Sequence, residues 1–247
     1  MRKALILAPL AVSASLFAQC PCPDAPAVPP DWTGSFGLGL ALTSGNSDTK
    51  TFNLNFNAVY DPRSNAILKL DALYLRGEKD GDATVDRNAA GLRLEYKMRP
   101  QIFVFAEVRY LRDQFKGINY LITPIVGAGY QLIKTDPMLL QFDAGVGGAF
   151  QKNYGESVNS AGAVQLGETF GWKLSKTATL SQNFRSLFKM NDTSDFVLHF
   201  DIGLSAELIK NLELKVAFLD DFNNRPPAGS DIKKNDTAFV ASVLYKF

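Results

Sequence analysis

Residues 196–208, with the sequence FVLHFDIGLSAEL, repeat their apolar side chains at every second position. The apolar residues share one phase of this alternation: Phe196, Leu198, Phe200, Ile202, Leu204 and Leu208. The opposite phase carries His199, Asp201, Ser205 and Glu207. Successive side chains of a strand point to opposite faces, whereas a helix would scatter these charges around its circumference. The stretch therefore predicts a β-strand with one apolar and one polar face.

The same alternation recurs in segments 52–60 and 87–99, and turn residues divide the remainder of the chain. The candidate strands lie near 32–43, 49–60, 65–77, 86–99, 102–114, 119–133, 138–151, 159–174, 177–189, 195–208, 211–223 and 235–247. The predicted fold class is all-β, a closed antiparallel transmembrane β-barrel of about twelve strands.

The first residues have the order of a secretory signal. Arg2 and Lys3 precede an apolar stretch that ends at Leu16, and Ala18 supplies the small residue for cleavage. We expect a cleaved signal peptide over 1–18, a proline-rich periplasmic linker over 19–31 and the barrel over 32–247. A membrane anchor is disfavoured because the apolar stretch is shorter than the roughly 20 residues of a spanning helix.

The cysteines, Cys20 and Cys22, follow the predicted cleavage site. Lipidation would require a small residue before the cysteine, but Gln19 and Pro21 stand there. Two cysteines are too few for a disulfide framework. An inert tether is favoured over redox or metal chemistry, and the role of the pair stays open.

Composition excludes two classes of protein. Charged residues make up 21% of the chain and hydrophobic residues 46%, and the formal net charge is +1. A disordered chain would be less hydrophobic, and a general nucleic-acid binder would be strongly basic. We expect no nucleic-acid partner.

Alternation alone does not say which face of the barrel is apolar, because soluble lipocalin-like barrels alternate too. If the apolar face pointed inward, a barrel of about twelve strands would enclose an apolar lumen too wide for side chains to fill. We therefore expect the apolar face outside, against lipid. Connections at 61–64, 99–101, 134–137, 175–176 and 210–211 are short, and those at 78–85, 152–158 and 225–234 are longer. This layout is typical of outer-membrane barrels, with both termini in the periplasm.

Aromatic residues near both strand ends predict two girdles that flank the lipid band. One comprises Tyr60, Tyr96, Tyr130, Trp172 and Tyr245, and the other Tyr74, Tyr110, Tyr120, Phe150 and Phe196. One residue conflicts with this exterior, because the apolar phase of 159–174 would place Glu168 in lipid. We expect a bulge near Gly167 or Gly171, or a polar partner such as Gln182.

The inward phase carries charges of both signs, which are the candidate lumen-lining residues. They are Lys69, Asp71, Arg93, Glu95, Lys97, Glu107, Arg109, Asp143, His199, Asp201, Glu207, Glu213 and Lys215. Such charges can close into ion pairs that fill the lumen, or line a narrow water-filled path. The sequence does not choose between these arrangements.

A search for catalytic or metal chemistry yields little. Residues 80–86 begin like a calcium loop but lack its glycine and its final glutamate, so we expect a solvated acidic loop. His199, the sole histidine, has no nucleophile beside it in the pattern. We therefore expect no enzyme, cofactor or dedicated metal site.

Both ends of segment 32–247 resemble the DUF481 family, also described as salt-induced outer-membrane proteins. The resemblance rests on Trp32-Thr33-Gly34-Ser35 and 42–49 at the start, and on Asp221-Phe222, 226–229, 234–237 and 244–247 at the end. It implies a Gram-negative outer-membrane barrel and supplies no catalytic residues. The final strand, with Phe239, Val243, Tyr245 and Phe247 on one face, also resembles the signal read by the barrel-assembly machinery.

The leading functional hypothesis is a small porin-like channel for ions or small solutes. The alternative is a non-conducting structural barrel linked to osmotic or salt stress, and an outer-membrane enzyme is less favoured. The expected partners are outer-membrane lipid, lipopolysaccharide and, during biogenesis, the barrel-assembly machinery.

Overall fold

The computed structural model describes residues 31–44, 49–79, 82–226 and 233–247. The predicted signal peptide, the linker up to Pro30 and parts of the connections at 45–48, 80–81 and 227–232 lie outside the described residues. No helix in the described ranges is long and apolar enough to cross a membrane.

The described chain forms twelve strands in sequence order. They are β1 (Trp32–Ser44), β2 (Thr49–Tyr60), β3 (Ala66–Lys79), β4 (Asp82–Lys97), β5 (Ile102–Asp113), β6 (Ile118–Lys134), β7 (Met138–Asn153), β8 (Asn159–Lys173), β9 (Ala178–Lys189), β10 (Asp192–Ile209), β11 (Leu212–Asn223) and β12 (Asn235–Lys246). Each strand pairs antiparallel with its neighbours in sequence, and β1 also pairs with β12. The predicted closed antiparallel barrel is confirmed.

The seam between β1 and β12 closes the barrel without an exposed edge. Phe36 pairs with Tyr245 and Leu42 with Phe239, and the N–H of Gly34 donates to the carbonyl of Phe247 at 3.1 Å. Closure satisfies the backbone groups that an open edge would leave in hydrocarbon.

The strand ends fall into two sets, which we call the turn end and the loop end. The turn end holds the connections 61–65, 98–101, 135–137, 174–177 and 210–211, and the loop end holds 45–48, 80–81, 114–117, 154–158, 190–191 and 224–234. Judged by the bounds of the described strands, the connection 224–234 is much longer than the others, and the expected alternation in length is weak.

The β3–β4 hairpin extends beyond its prediction, since the expected loop 78–85 is mostly strand. Arg76 and Glu78 form an ion pair of 3.3 Å near the end of this hairpin. Outside the lipid band neither face of a strand has to be apolar. Hydrophobic alternation therefore does not predict that β3 and β4 continue beyond it.

A tight turn at 210–211 joins β10 to β11. Asn211 adopts a positive φ of 68°, which asparagine tolerates better than most residues. Its side-chain amide donates to the carbonyl of Lys246 at 2.9 Å. The turn is thereby fixed to the neighbouring strand β12.

The outer face of the barrel is apolar and exposed. Leu40 is 69% exposed, Val126 59% and Phe239 58%. The exposed aromatic residues near the turn end are Tyr96, Tyr130, Trp172 and Tyr245. Those towards the loop end are Tyr110 and Phe150. Leaving so much apolar surface in water is unfavourable by about 25 cal/mol per Å², so this exterior is suited to hydrocarbon.

Glu168 lies in the outward phase of β8, with Leu166 and Trp172. The pairing of β8 with β7 and with β9 has no register shift, so neither Gly167 nor Gly171 is at a bulge. The amide of Gln182 donates to a Glu168 carboxylate oxygen at 3.2 Å, as the second expectation proposed.

Part of the interior is also apolar, which the sequence did not predict. Phe103 and Phe105, in the inward phase of β5, are 2% and 4% exposed. Phe103 pairs with Gly129 and Phe105 with Gly127, so the rings lie where β6 has no side chains. They join Ile118, Leu121, Ile125, Ala149, Ala163 and Leu187 in a core inside the barrel.

Candidate functional site: the charged lumen

Arg93 of β4 connects three carboxylates inside the barrel. Its Nε donates to Glu95 at 2.8 Å, and its two Nη atoms donate to Glu107 at 3.3 Å and Asp143 at 3.1 Å. These carboxylates come from β4, β5 and β7. Buried carboxylates need such partners, because an unpaired charge away from water is strongly unfavourable.

The face of the same guanidinium lies on an aromatic ring. The Arg93 Cζ is 3.8 Å from the centroid of Phe105, which is cation–π geometry. Gln165 of β8, three strands away from β5, also donates to Glu107 at 3.3 Å. We call Arg93, Glu95, Phe105, Glu107 and Asp143 the Arg93 cluster.

A second ion pair joins β5 to β3. The Nη atoms of Arg109 donate to the two carboxylate oxygens of Asp71 at 3.1 and 2.8 Å. The pair crosses Gly91 on the intervening strand, where an added Cβ would lie 2.4 Å from the Asp71 carboxylate. A side chain at position 91 would therefore have to displace this ion pair.

A third group lies nearer the loop end. Asp221 accepts hydrogen bonds from Arg87, and His199 Nδ1 lies 2.7 Å from the same carboxylate. His199 Nε2 is 3.8 Å from Asp201, which accepts a 3.1 Å hydrogen bond from Asn183. The sole histidine is thus held between two aspartates as part of a structural network.

A fourth group seals the seam where the barrel closes. The Ser242 hydroxyl of β12 donates to Asn53 of β2 at 3.2 Å, across the narrow strand β1. On β1 an added Cβ at Gly37 would lie 2.3 Å from Asn55. The small residue therefore lets side chains of β2 and β12 meet inside.

The candidate lumen-lining residues all lie in the inward phase of their strands, although they are not equally engaged. Seven belong to the first three groups (Asp71, Arg93, Glu95, Glu107, Arg109, Asp143 and Asp201), and His199 joins them. Lys69 pairs with Glu95 at 2.8 Å, Lys97 with Asp61 of a turn at 3.5 Å, and Glu213 with Lys246. Glu207 is exposed at the turn end.

Lys215 is different, because it makes no ion pair with any residue in the described ranges. A Cβ added at Gly203 would lie 2.8 Å from the Cε of Lys215. The aliphatic part of the lysine side chain therefore lies across that glycine.

Sequence reasoning did not select several residues of the lumen: Asn53, Arg87, Phe103, Phe105, Arg185 and Asp221. Arg185 was missed because β9 alternates poorly. The strand still carries a signal for the facing of Arg185. Phe184 and Phe188 share one phase of β9 and Arg185 lies in the other, which predicts that Arg185 faces the lumen.

A cavity of about 460 Å³ lies inside the barrel above the Arg93 cluster, towards the loop end. Its lining includes Arg87, Arg109, Arg185, His199 and Lys215. Among the described residues, no three His, Cys, Asp or Glu side chains are arranged to hold a metal ion.

The inward residues of β8, β9 and β10 near the turn end are small: Gly167, Thr169, Ser181, Gly203 and Ser205. Counted from the turn ends of their strands, they lie at about the same level as Arg93 and Glu107. At this level the lumen is filled on the side of β4–β7, which we call the filled half, and the wall on the side of β8–β10, the small-residue half, has small side chains. The Asp143 carboxylate lies over Gly167 and the Lys215 stem over Gly203, whereas Thr169, Ser181 and Ser205 are partly exposed.

The outward face of β12 carries the candidate assembly signal. Phe239, Val243, Tyr245 and Phe247 are exposed on the exterior, and the ring of Phe239 is 5.0 Å from that of Phe218.

Solved structures with a similar fold include two porins and the translocator domain of an autotransporter. The NanC porin superposes with a TM-score of 0.59 at 9% identity, over 86% of this chain and 100% of that one. The KdgM porin gives 0.51 at 12% identity, over 86% and 99%. The translocator domain of the autotransporter NalP from Neisseria meningitidis gives 0.53 at 10% identity, over 89% and 90%. At these identities the likeness establishes a shared fold.

Comparison with curated proteins gave no match. The family model described as "Protein of unknown function, DUF481" matches residues 36–247, which is nearly the whole barrel. The chain, a closed twelve-stranded β-barrel with the fold of the NanC porin, therefore belongs to the DUF481 family.

Proposed function

We propose that this protein is a narrow channel through which ions and small hydrophilic solutes cross the outer membrane. The observation that carries the proposal is the cavity of about 460 Å³ inside the barrel, together with the small-residue half beside the Arg93 cluster. Water and solute would enter from the loop end and pass along β8–β10.

The route is restricted by the filled half. Glu95 and Glu107 are 3% and 2% exposed, so no solvent path runs between the members of the Arg93 cluster. Thr169, Ser181 and Ser205, on the other side of the lumen, are each partly exposed. Mixed charges along such a path would give modest ion selectivity.

The fold shared with the NanC and KdgM porins supports a channel, although the solute does not carry over at 9% and 12% identity. We further propose export by a cleaved signal peptide over 1–18, a periplasmic linker over 19–31, and assembly through the exposed aromatic face of β12. Outer-membrane lipid and lipopolysaccharide would surround the exterior.

Single-channel recording in planar bilayers tests the channel. The wild-type protein should give discrete conductance steps. Ser181→Trp, in the small-residue half, should reduce them severalfold because the indole would obstruct the route. Phe184→Trp, on the lipid face of the same strand, is the matched control and should conduct like the wild type. Silence of the wild-type protein in all salts, or equal conductance of the two variants, would contradict the proposal.

The second candidate is a non-conducting barrel that supports the envelope under osmotic or salt stress. The Arg93 cluster favours it, because three carboxylates and a phenyl ring converge on one guanidinium in the lumen. This function would be supported if the wild-type protein were silent in bilayers while its deletion reduced survival at high salt.

A further inference from the structure

Arg185 of β9 lines the cavity, yet it makes no hydrogen bond or ion pair with any residue that the structure describes. Buried or partly buried arginines normally donate to carboxylates or carbonyls. A guanidinium has five N–H donors, so its isolation leaves all of them available within the lumen.

The acidic groups around Arg185 are already engaged elsewhere. Glu107 accepts hydrogen bonds from Arg93 and Gln165, and Asp71 binds Arg109 through both oxygens. On the two neighbouring strands Arg185 pairs with Gly167, which has no side chain, and with His199, which binds Asp221. A second guanidinium, that of Arg109, also lines the cavity.

Lys215 is a second cation in the lining of the cavity without an ion pair among the described residues. Most carboxylates of the lining have strong partners: Asp195 binds Lys189 and Asp221 binds Arg87. Asp113 accepts the backbone N–H of Lys116, and Asp201 accepts the neutral amide of Asn183. Among the described residues of the lining, the cationic donors without a carboxylate partner are therefore Arg185 and Lys215.

From this arrangement we propose an anion-binding site in the cavity, with Arg185 as its principal donor, which takes the carboxylate of a small organic acid. A guanidinium binds a carboxylate through two parallel hydrogen bonds. Asp71 and Asp201 also line the cavity, and their negative charges disfavour a phosphate dianion relative to a ligand with a single negative charge. The inference deepens the proposed channel by naming the class of solute that would pause within it.

Binding is tested on the detergent-solubilised full barrel by line broadening of the lactate methyl resonance. Lactamide is the uncharged probe of nearly the same shape, and inorganic phosphate is the competing anion. The variants are Arg185→Gln, Arg185→Lys and Arg112→Gln. Arg112 is the matched control because it lies outside the lumen, where it donates to Tyr154 at 3.2 Å.

We expect lactate to bind the wild-type protein and the Arg112→Gln variant equally, and lactamide to bind neither. Arg185→Gln should weaken lactate binding about tenfold, the usual effect of losing a charged hydrogen-bond partner. Arg185→Lys keeps the positive charge and loses the two parallel N–H donors, so its affinity for lactate should lie between those of the wild type and Arg185→Gln. This variant keeps the test decisive if the glutamine variant misfolds.

Equal binding of lactate to wild type and Arg185→Gln would overturn the site, as would binding of lactamide or no binding of lactate at all. Tighter binding of phosphate than of lactate would overturn the carboxylate assignment. These measurements require no conduction, so a silent bilayer recording refutes the channel and leaves the site standing, and the reverse also holds.

Discussion

The Arg93 guanidinium carbon lies 3.8 Å from the centre of the Phe105 ring while its nitrogens donate to Glu95, Glu107 and Asp143. One side chain thus binds an apolar face and three charges at once. Both sets of contacts lie in the filled half, so Arg93 connects the apolar core of the lumen to its ion pairs.

Replacing Arg93 with leucine should destabilise the barrel by about 3–5 kcal/mol, because three buried carboxylates lose their common partner. Urea unfolding in detergent, followed by tryptophan fluorescence, measures the free energy. Arg112→Leu is the control and should change stability by less than about 1 kcal/mol, since Arg112 pairs at the surface. Equal destabilisation of the two variants would show that the cluster is not structural.

Gly129→Ala should destabilise the barrel, because the added Cβ would lie 2.1 Å from the Phe103 ring. Overpacking of this kind costs about 1–3 kcal/mol. Gly171→Ala is a matched substitution in an inward position where the nearest atom, of Leu139, is 4.0 Å away. Thermal unfolding should therefore separate the two variants, and identical midpoints would mean that the Phe103 ring moves freely.

Gln182→Leu should destabilise the barrel in lipid vesicles by about 1–3 kcal/mol, since Glu168 would lose its 3.2 Å hydrogen bond on the outer face. The double variant Glu168→Leu with Gln182→Leu should recover this loss, because no polar group then faces lipid. A double-mutant cycle of unfolding free energies measures the coupling. Additive effects would indicate that Glu168 is satisfied by water.

Ile202→Arg should make the free energy of insertion into vesicles less favourable by about 2–4 kcal/mol, because a cation would lie on the lipid face near mid-membrane. Asp201→Asn, one residue away and facing inward, should insert nearly as the wild type because it retains the acceptor for Asn183. Heat-modifiable migration on gels reports the inserted fraction. Equal impairment would mean that the assigned facing of β10 is wrong.

Alternation predicted the strands well wherever one face meets lipid and the other does not. The bounds of β2 match the predicted segment 49–60, and β10 keeps the predicted facing of Phe200 and Asp201. The prediction fell short at the β3–β4 hairpin, because strands beyond the lipid band have no apolar face.

The interior was predictable only in part. Both phases of β5 are apolar near its start, where Phe103 and Phe105 alternate with Val104. Which phase faces inward depends on the pairing with Gly127 and Gly129, which is a property of register. The contact of Arg93 with Asp143 likewise spans strands far apart in sequence, and no local pattern encodes it.

The filled half and the small-residue half have a consequence for how such barrels diversify. At one depth, bulk added beside β4 falls on a site already occupied, whereas bulk added beside β9 would narrow the proposed route. In the proposed channel, angular position around the axis would therefore decide which substitutions alter permeation and which alter folding, with strand number and tilt unchanged.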